Sequence, residues 1–125
     1  MRRVVSIALL ALCPLMVALA LTACGANDIV TPTGNIDKAK DVAAKGEILM
    51  VKTGVAAYVV TNSAAPPMAT QDVLGDFVDP WPKNPWTQAP MVPGKQPGDI
   101  VYVPGAGTDF TLGVVLADGS VYNAP

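Results

Sequence analysis

Few side chains in this sequence are equipped for chemistry. The chain has no His, and its only thiols are Cys13 and Cys24. Without His there is no Ser-His-Asp or Cys-His nucleophile and no His-ligated metal. Ser63 and Ser120 have no base beside them in sequence, and no Gly-rich phosphate loop leads into a helix. Glu47 is the only Glu, so acid–base work would fall to Asp pairs. This inventory points away from an enzyme. The reactive position is Cys24, in Leu21-Thr22-Ala23-Cys24 at the end of a long apolar run. Two small residues before a thiol suit a peptidase pocket, and the thiol can accept an acyl group.

The residues before Cys24 fit that chemistry. Arg2 and Arg3 form a basic start, and Val4 to Leu21 is almost entirely apolar, interrupted by Pro14. This reads as an export signal over 1–23 rather than as part of the fold; a retained membrane span is the other reading. Leu21-Thr22-Ala23-Cys24 resembles a bacterial lipobox, which makes Cys24 the expected lipidation site (diacylglycerol, palmitate). Cys13 would leave with the signal, so the mature chain has no disulfide and no Cys-ligated metal. An exported domain of this kind is held together by its core alone. Two or three acyl chains, at about 0.8 kcal/mol per buried methylene, make membrane attachment effectively permanent. The expected location is the cell membrane or the outer membrane, lipid-anchored on the extracytoplasmic side. Gly25 stands where an Asp often accompanies inner-membrane retention.

After Cys24 the chain carries six Lys, nine Asp and one Glu, with no Arg, for a net charge of −4. An acidic chain without Arg is a poor partner for nucleic acid, and anionic lipid would not hold it by charge. Residues 24–35 are small, polar and turn-rich and read as a tether. Residues 36–125 are the size of one domain.

In residues 36–62, Ala44, Ile48, Val51, Val55 and Tyr58 recur at steps of four and three, one apolar face of a helix. Asn35 is the expected N-cap, with Asp37 in the first turn. Gly46 and Gly54 each cost about 1 kcal/mol against Ala, and the β-branched "VAAYVVT" leaves the last turn open. Residues 63–98 hold eight prolines and read as a long irregular connection. Phe77, Trp81 and Trp86 imply that it packs down rather than staying disordered, with a helical turn over 72–77. "DIVYV" (99–103), "FTLGVVLA" (110–117) and "SVYNA" (120–124) read as strands, with "PGAGTD" (104–109) and Asp118-Gly119 as their turns. The expected fold is α+β: one long helix packed on a small antiparallel three-stranded sheet, joined by a Pro/Trp-rich loop.

Within that loop, Pro80, Pro82 and Pro85 impose an extended, turning path. Asn84 is placed to bond its own backbone in an Asx turn. Trp81 and Trp86 supply the apolar area that clamps the path to the core. The alternative is an exposed ring that stacks on a sugar.

Asp79-Pro80-Trp81-Pro82-Lys83-Asn84-Pro85-Trp86 resembles the Asp-Pro-Trp-Gly-Asn-Pro-Tyr segment of type II secretion major pseudopilins, one residue longer and with Trp for Tyr. Trp81 through Met91 also resembles a variant in type IV pilin-like sequences, Trp-Pro-x-Asn-Pro-aromatic-Thr-Gly-x-Pro-Met, with Gln88 in place of Gly. Pro97-Gly98-Asp99-Ile100-Val101-Tyr102 and Phe110-Thr111-Leu112 with Asp118-Gly119 are similar to the strands and hairpin that follow. The resemblance covers roughly residues 36–123. It implies a pseudopilin-like head, and calcium held through Asp109 and Asp118, with Asp99 nearby in sequence; calcium needs six to eight oxygens. The other reading of Asp109 and Asp118 is as ordinary turn residues. The Gly-Phe-Thr-Leu-x-Glu processing pattern of pilins is missing, so the resemblance implies a head moved onto a lipid anchor, not a filament subunit. The expected function is a cell-envelope protein that acts structurally or by contact with a protein partner of envelope or secretion machinery. The alternative is a small envelope lipoprotein that binds sugar or calcium.

Overall fold

The computed structural model describes residues 32–125. In chain order these form helix α1 (Pro32–Asn62), a short helix α2 (Gln71–Leu74), and strands β1 (Ile100–Pro104), β2 (Phe110–Val115) and β3 (Val121–Asn123). The strands form one antiparallel sheet in the order β1-β2-β3. Its register sets Ile100 opposite Val114, and Val115 opposite Val121. The expected α+β arrangement is therefore the observed one.

The stripe on α1 is the helix's contribution to the core. Ala44, Ile48, Val51 and Val55 are fully buried, and Tyr58 packs at their end. Ile100, Leu112 and Val114 of the sheet, with Leu74, Val78, Trp81 and Met91 of the connection, complete the cluster. Fully burying side chains of this kind stabilises by about 1.5–3 kcal/mol each. Val55 and Val59 pack inward, so tertiary burial offsets the low helix propensity of the β-branched tail. Ser63, at φ 55°, then turns the chain out of the helix.

Two details of α1 differ from expectation. The helix begins at Pro32, so the last residues of the expected 24–35 tether are helical. Asn35 lies inside the helix rather than capping it, and no acidic residue falls in the first turn. Proline suits the opening turn because its φ is already helical and the N–H it lacks would have no partner there. Gly54, a weak point by propensity, is a site of close approach: a methyl group there would run into Val78.

The β2–β3 connection is also more specific than a two-residue turn. The Gly119 amide donates to the Leu116 carbonyl (3.0 Å), and the Leu116 amide to the Ser120 carbonyl (2.8 Å). Only Gly119 has positive φ (83°). This is a tight turn through Ala117-Asp118 closed by a glycine bulge, and Asp118 keeps ordinary backbone geometry. Asp41 of α1 holds the turn in place, its Oδ1 accepting from the Ala117 amide at 2.9 Å. Lys45 adds its ammonium 5.2 Å from the centre of the Tyr122 ring.

Candidate functional site

The Pro/Trp stretch folds into a closed loop. Lys83 and Pro90 bridge in antiparallel fashion. The Asn84 amide donates to the Ala89 carbonyl, and the Met91 amide to the Pro82 carbonyl. Trp81 is 8% exposed, and its indole Nε1–H donates to the Met91 carbonyl at 2.9 Å. The ring thus closes the loop at its base while contributing apolar area to the core. That is the clamp expected of Trp81, with its polar atom satisfied.

Asn84 is the hub of the loop. It is the one buried polar side chain among the described residues. Its Oδ1 accepts from the Trp86 amide at 2.8 Å, the expected Asx turn. Its Nδ2 donates to the Pro97 carbonyl at 2.9 Å, which joins the loop to the start of β1. The neighbouring Gly98 has φ 85°, and any side chain there would overlap the Asn84 amide. Asn84 and Gly98 are therefore one interlocked feature, although fourteen residues separate them. Pro85 starts the turn over 85–88. Gln88 ends it at φ 61°, a conformation that costs a non-Gly residue about 1–2 kcal/mol.

Between this loop and α1 lies a groove of about 580 Å³. Ala43, Glu47 and Met50 form the helix wall, and Pro80, Pro82, Lys83, Pro85 and Gln88 the loop wall, with Trp81 between. The walls are mainly apolar, with one acid and one base on opposite sides. Met50 is 43% exposed. Its lining includes no nucleophile–base pair. From the sequence, Met50 and Glu47 read only as residues off the buried stripe. Their part in a groove depends on where the loop returns to the helix, which local spacing does not encode.

Trp86 is half-buried against the core, and Trp81 offers no open face. The expected calcium ligands do not come together. Asp109 sits in the β1–β2 turn and Asp118 in the β2–β3 turn, so the length of β2, roughly 17 Å at about 3.4 Å per residue, lies between them. Each has a local role. Asp109 closes its turn through its backbone, with its carbonyl accepting from the Gly105 amide at 2.7 Å. The Asp118 carboxylate accepts from the Ser120 hydroxyl at 2.6 Å and amide at 2.9 Å. The Ser120 hydroxyl bond, then the amide bond, hold its pKa below the usual carboxylate value. The Asp99 carboxylate accepts from the Gln96 amide. Among the described residues no group of three or more acidic, His or Cys side chains is placed to hold a metal ion. Asp109 and Asp118, expected together at calcium, thus lie in separate turns at the two ends of β2.

Cys24 lies outside the described residues. Among those described, no helix is long and apolar enough to cross a membrane. No protein-family model matches the sequence, and no curated protein or solved structure matches it either.

Proposed function

We propose that this is a lipid-anchored cell-envelope protein whose head works by protein contact rather than catalysis. Residues 1–23 direct export and are removed, Cys24 carries the lipid, and the chain after it holds the head near the membrane surface. The head binds a protein partner of the envelope or secretion machinery through the groove between α1 and the Pro/Trp loop. The observation that carries this reading is the groove itself: apolar walls, Glu47 facing Lys83 across it, and no catalytic arrangement within it. Such a surface suits a partner that inserts an apolar side chain between a cation and an anion. The chain order of long helix, Pro/Trp loop and three-stranded sheet supports the likeness to a pseudopilin head set on a lipid anchor.

Two measurements test the two halves. Palmitate labelling should mark the wild-type protein and not Cys24→Ser, which should accumulate as precursor. A photo-crosslinker in place of Lys83 should give an adduct with another envelope protein that Glu47→Lys removes, and one in place of Thr111 should give none. Label retained in Cys24→Ser would remove the anchor. An adduct indifferent to Glu47→Lys would remove the groove.

A further inference from the structure

The β2–β3 turn places next to each other two residues that can react. Asp118-Gly119 is the only Asp-Gly pair in the chain. Every other Asp precedes a larger residue, and the one at Asp79 precedes a proline, which has no N–H to give up. In an Asp-Gly pair the backbone nitrogen of the second residue can attack the side-chain carboxyl carbon of the first. Glycine shields that nitrogen least, because it has no Cβ. Here Asp118, Gly119 and Ser120 are all exposed, and a methyl group on Gly119 would touch nothing. No bulk blocks the attack.

Hydrogen bonds oppose it instead. The Asp118 Oδ1 accepts from the Ser120 hydroxyl at 2.6 Å and from the Ser120 amide at 2.9 Å. Both bonds hold the carboxylate toward Ser120, past the Gly119 nitrogen. The Gly119 amide donates to the Leu116 carbonyl at 3.0 Å, so the proton that must leave this nitrogen is itself engaged. On the other side, the Ala117 amide is tied to Asp41 of α1. The turn cannot swivel without giving up these bonds.

We propose that Asp118 is a modification site, the position at which this chain forms isoaspartate, and that Ser120 guards it while the turn is folded. The Gly119 nitrogen forms a bond to Asp118 Cγ, the Cγ–OH bond breaks, and the hydroxyl leaves with the amide proton as water. The product is a five-membered succinimide. A water molecule then adds to one of its two carbonyl carbons and opens the ring. Opening at Cγ restores Asp. Opening at the former main-chain carbonyl gives isoaspartate, whose backbone runs through Cβ and Cγ and whose α-carboxylate is free. The turn is then one carbon longer, which disturbs the register that sets Val115 opposite Val121. The first step needs the neutral acid, because a carboxylate has no leaving group. The Ser120 bonds, and more weakly Lys45 of α1, favour the ionised form and so oppose the reaction alongside the geometry.

The test incubates the purified full chain in detergent at one pH and temperature, and locates isoaspartate by peptide mapping with fragmentation that separates the two isomers. In guanidinium chloride, residue 118 should convert to a mixture of Asp and isoaspartate. Folded wild type should react about tenfold more slowly or less, because the turn must open first. Folded Ser120→Ala, which loses only the hydroxyl bond, should react several-fold faster than wild type. Ser120→Thr, which keeps a hydroxyl, should return close to the wild-type rate. Variants are compared at equal folded fraction, read by tryptophan fluorescence, so that general unfolding is not mistaken for loss of the guard. Equal rates in the folded and unfolded chain would overturn the proposal. So would Ser120→Ala at the wild-type rate, Ser120→Thr at the Ser120→Ala rate, or no isoaspartate at residue 118 of the unfolded chain.

Discussion

The two sides of α1 are built to one pattern and meet different fates. Ala44, Ile48, Val51 and Val55 are fully buried, whereas Val42, Leu49 and Val60 stand in solvent on the same helix. The inner set recurs at steps of four and three, and the outer set at seven and eleven, sums of the same steps. Hydrophobic periodicity therefore identifies an apolar face but not what covers it. The inner face is covered because the Pro/Trp loop and the sheet return to it. Among the described residues nothing covers the outer face. The inner face accordingly carries stability, and the outer face stays outside the packing.

Substitutions separate the two faces most sharply where burial is greatest. Trp81→Ala, at the point where the loop meets the inner face, should destabilise the head by about 3–5 kcal/mol in urea unfolding. This is a large share of the 5–15 kcal/mol typical of a domain. Ile48→Ala should cost about 2–5 kcal/mol. Leu49→Ala, one residue along but on the outer face, should stay within about 0.5 kcal/mol. Similar losses for Ile48→Ala and Leu49→Ala would erase the distinction.

A smaller loss is expected at the hub that holds the loop to the inner side. Asn84→Ala strands the Pro97 carbonyl and removes the Asx turn, at about 1–3 kcal/mol for the buried group left unpaired. Thermal or urea unfolding reads it. A neutral result would mean that the loop stays seated without Asn84. Gln88→Gly should act in the opposite direction. It relieves a strained φ, partly offset by the greater freedom of Gly in the unfolded chain, for a net gain of about 0.5 kcal/mol.

The smallest effect lies farthest from either face. The Asp118 pKa is lowered by its bonds to Ser120, so the folded state favours the carboxylate. Its contribution is full above the ordinary Asp value of about 3.9 and is lost as pH falls through the depressed folded value. The difference in melting temperature between wild type and Asp118→Ala should therefore be constant near neutrality and shrink on acidification. A difference that grows with acid would contradict this assignment.

These contrasts also mark what the sequence made legible. The inner stripe, the three strands, the Asx turn at Asn84 and the clamp at Trp81 follow from local spacing and residue chemistry, and each takes the expected place. The features that escaped depend on separation along the chain. Gly98 fits under Asn84 only once β1 returns to the loop, and the groove forms only where Met50 meets Pro82 and Pro85. The start of α1 at Pro32 is masked in the sequence by Asn35, which has the chemistry of a cap further along. Asp109 and Asp118 are paired only by the pseudopilin resemblance, and local spacing reads each as a turn residue. A strand lies between those turns, however, and an antiparallel sheet puts successive turns at opposite ends.

The most direct test of the central claim, that α1 folds through its inner face and leaves its outer face outside the packing, is the urea midpoint of the head spanning residues 25–125 with Leu49→Lys. The account predicts a stability within a few tenths of a kcal/mol of wild type, because the charge lands on a face that nothing among the described residues covers. A loss of more than about 1 kcal/mol, beyond the usual range for an exposed site, would mean that the outer face is part of the packing, and the division of α1 into a structural face and an exposed face would be wrong.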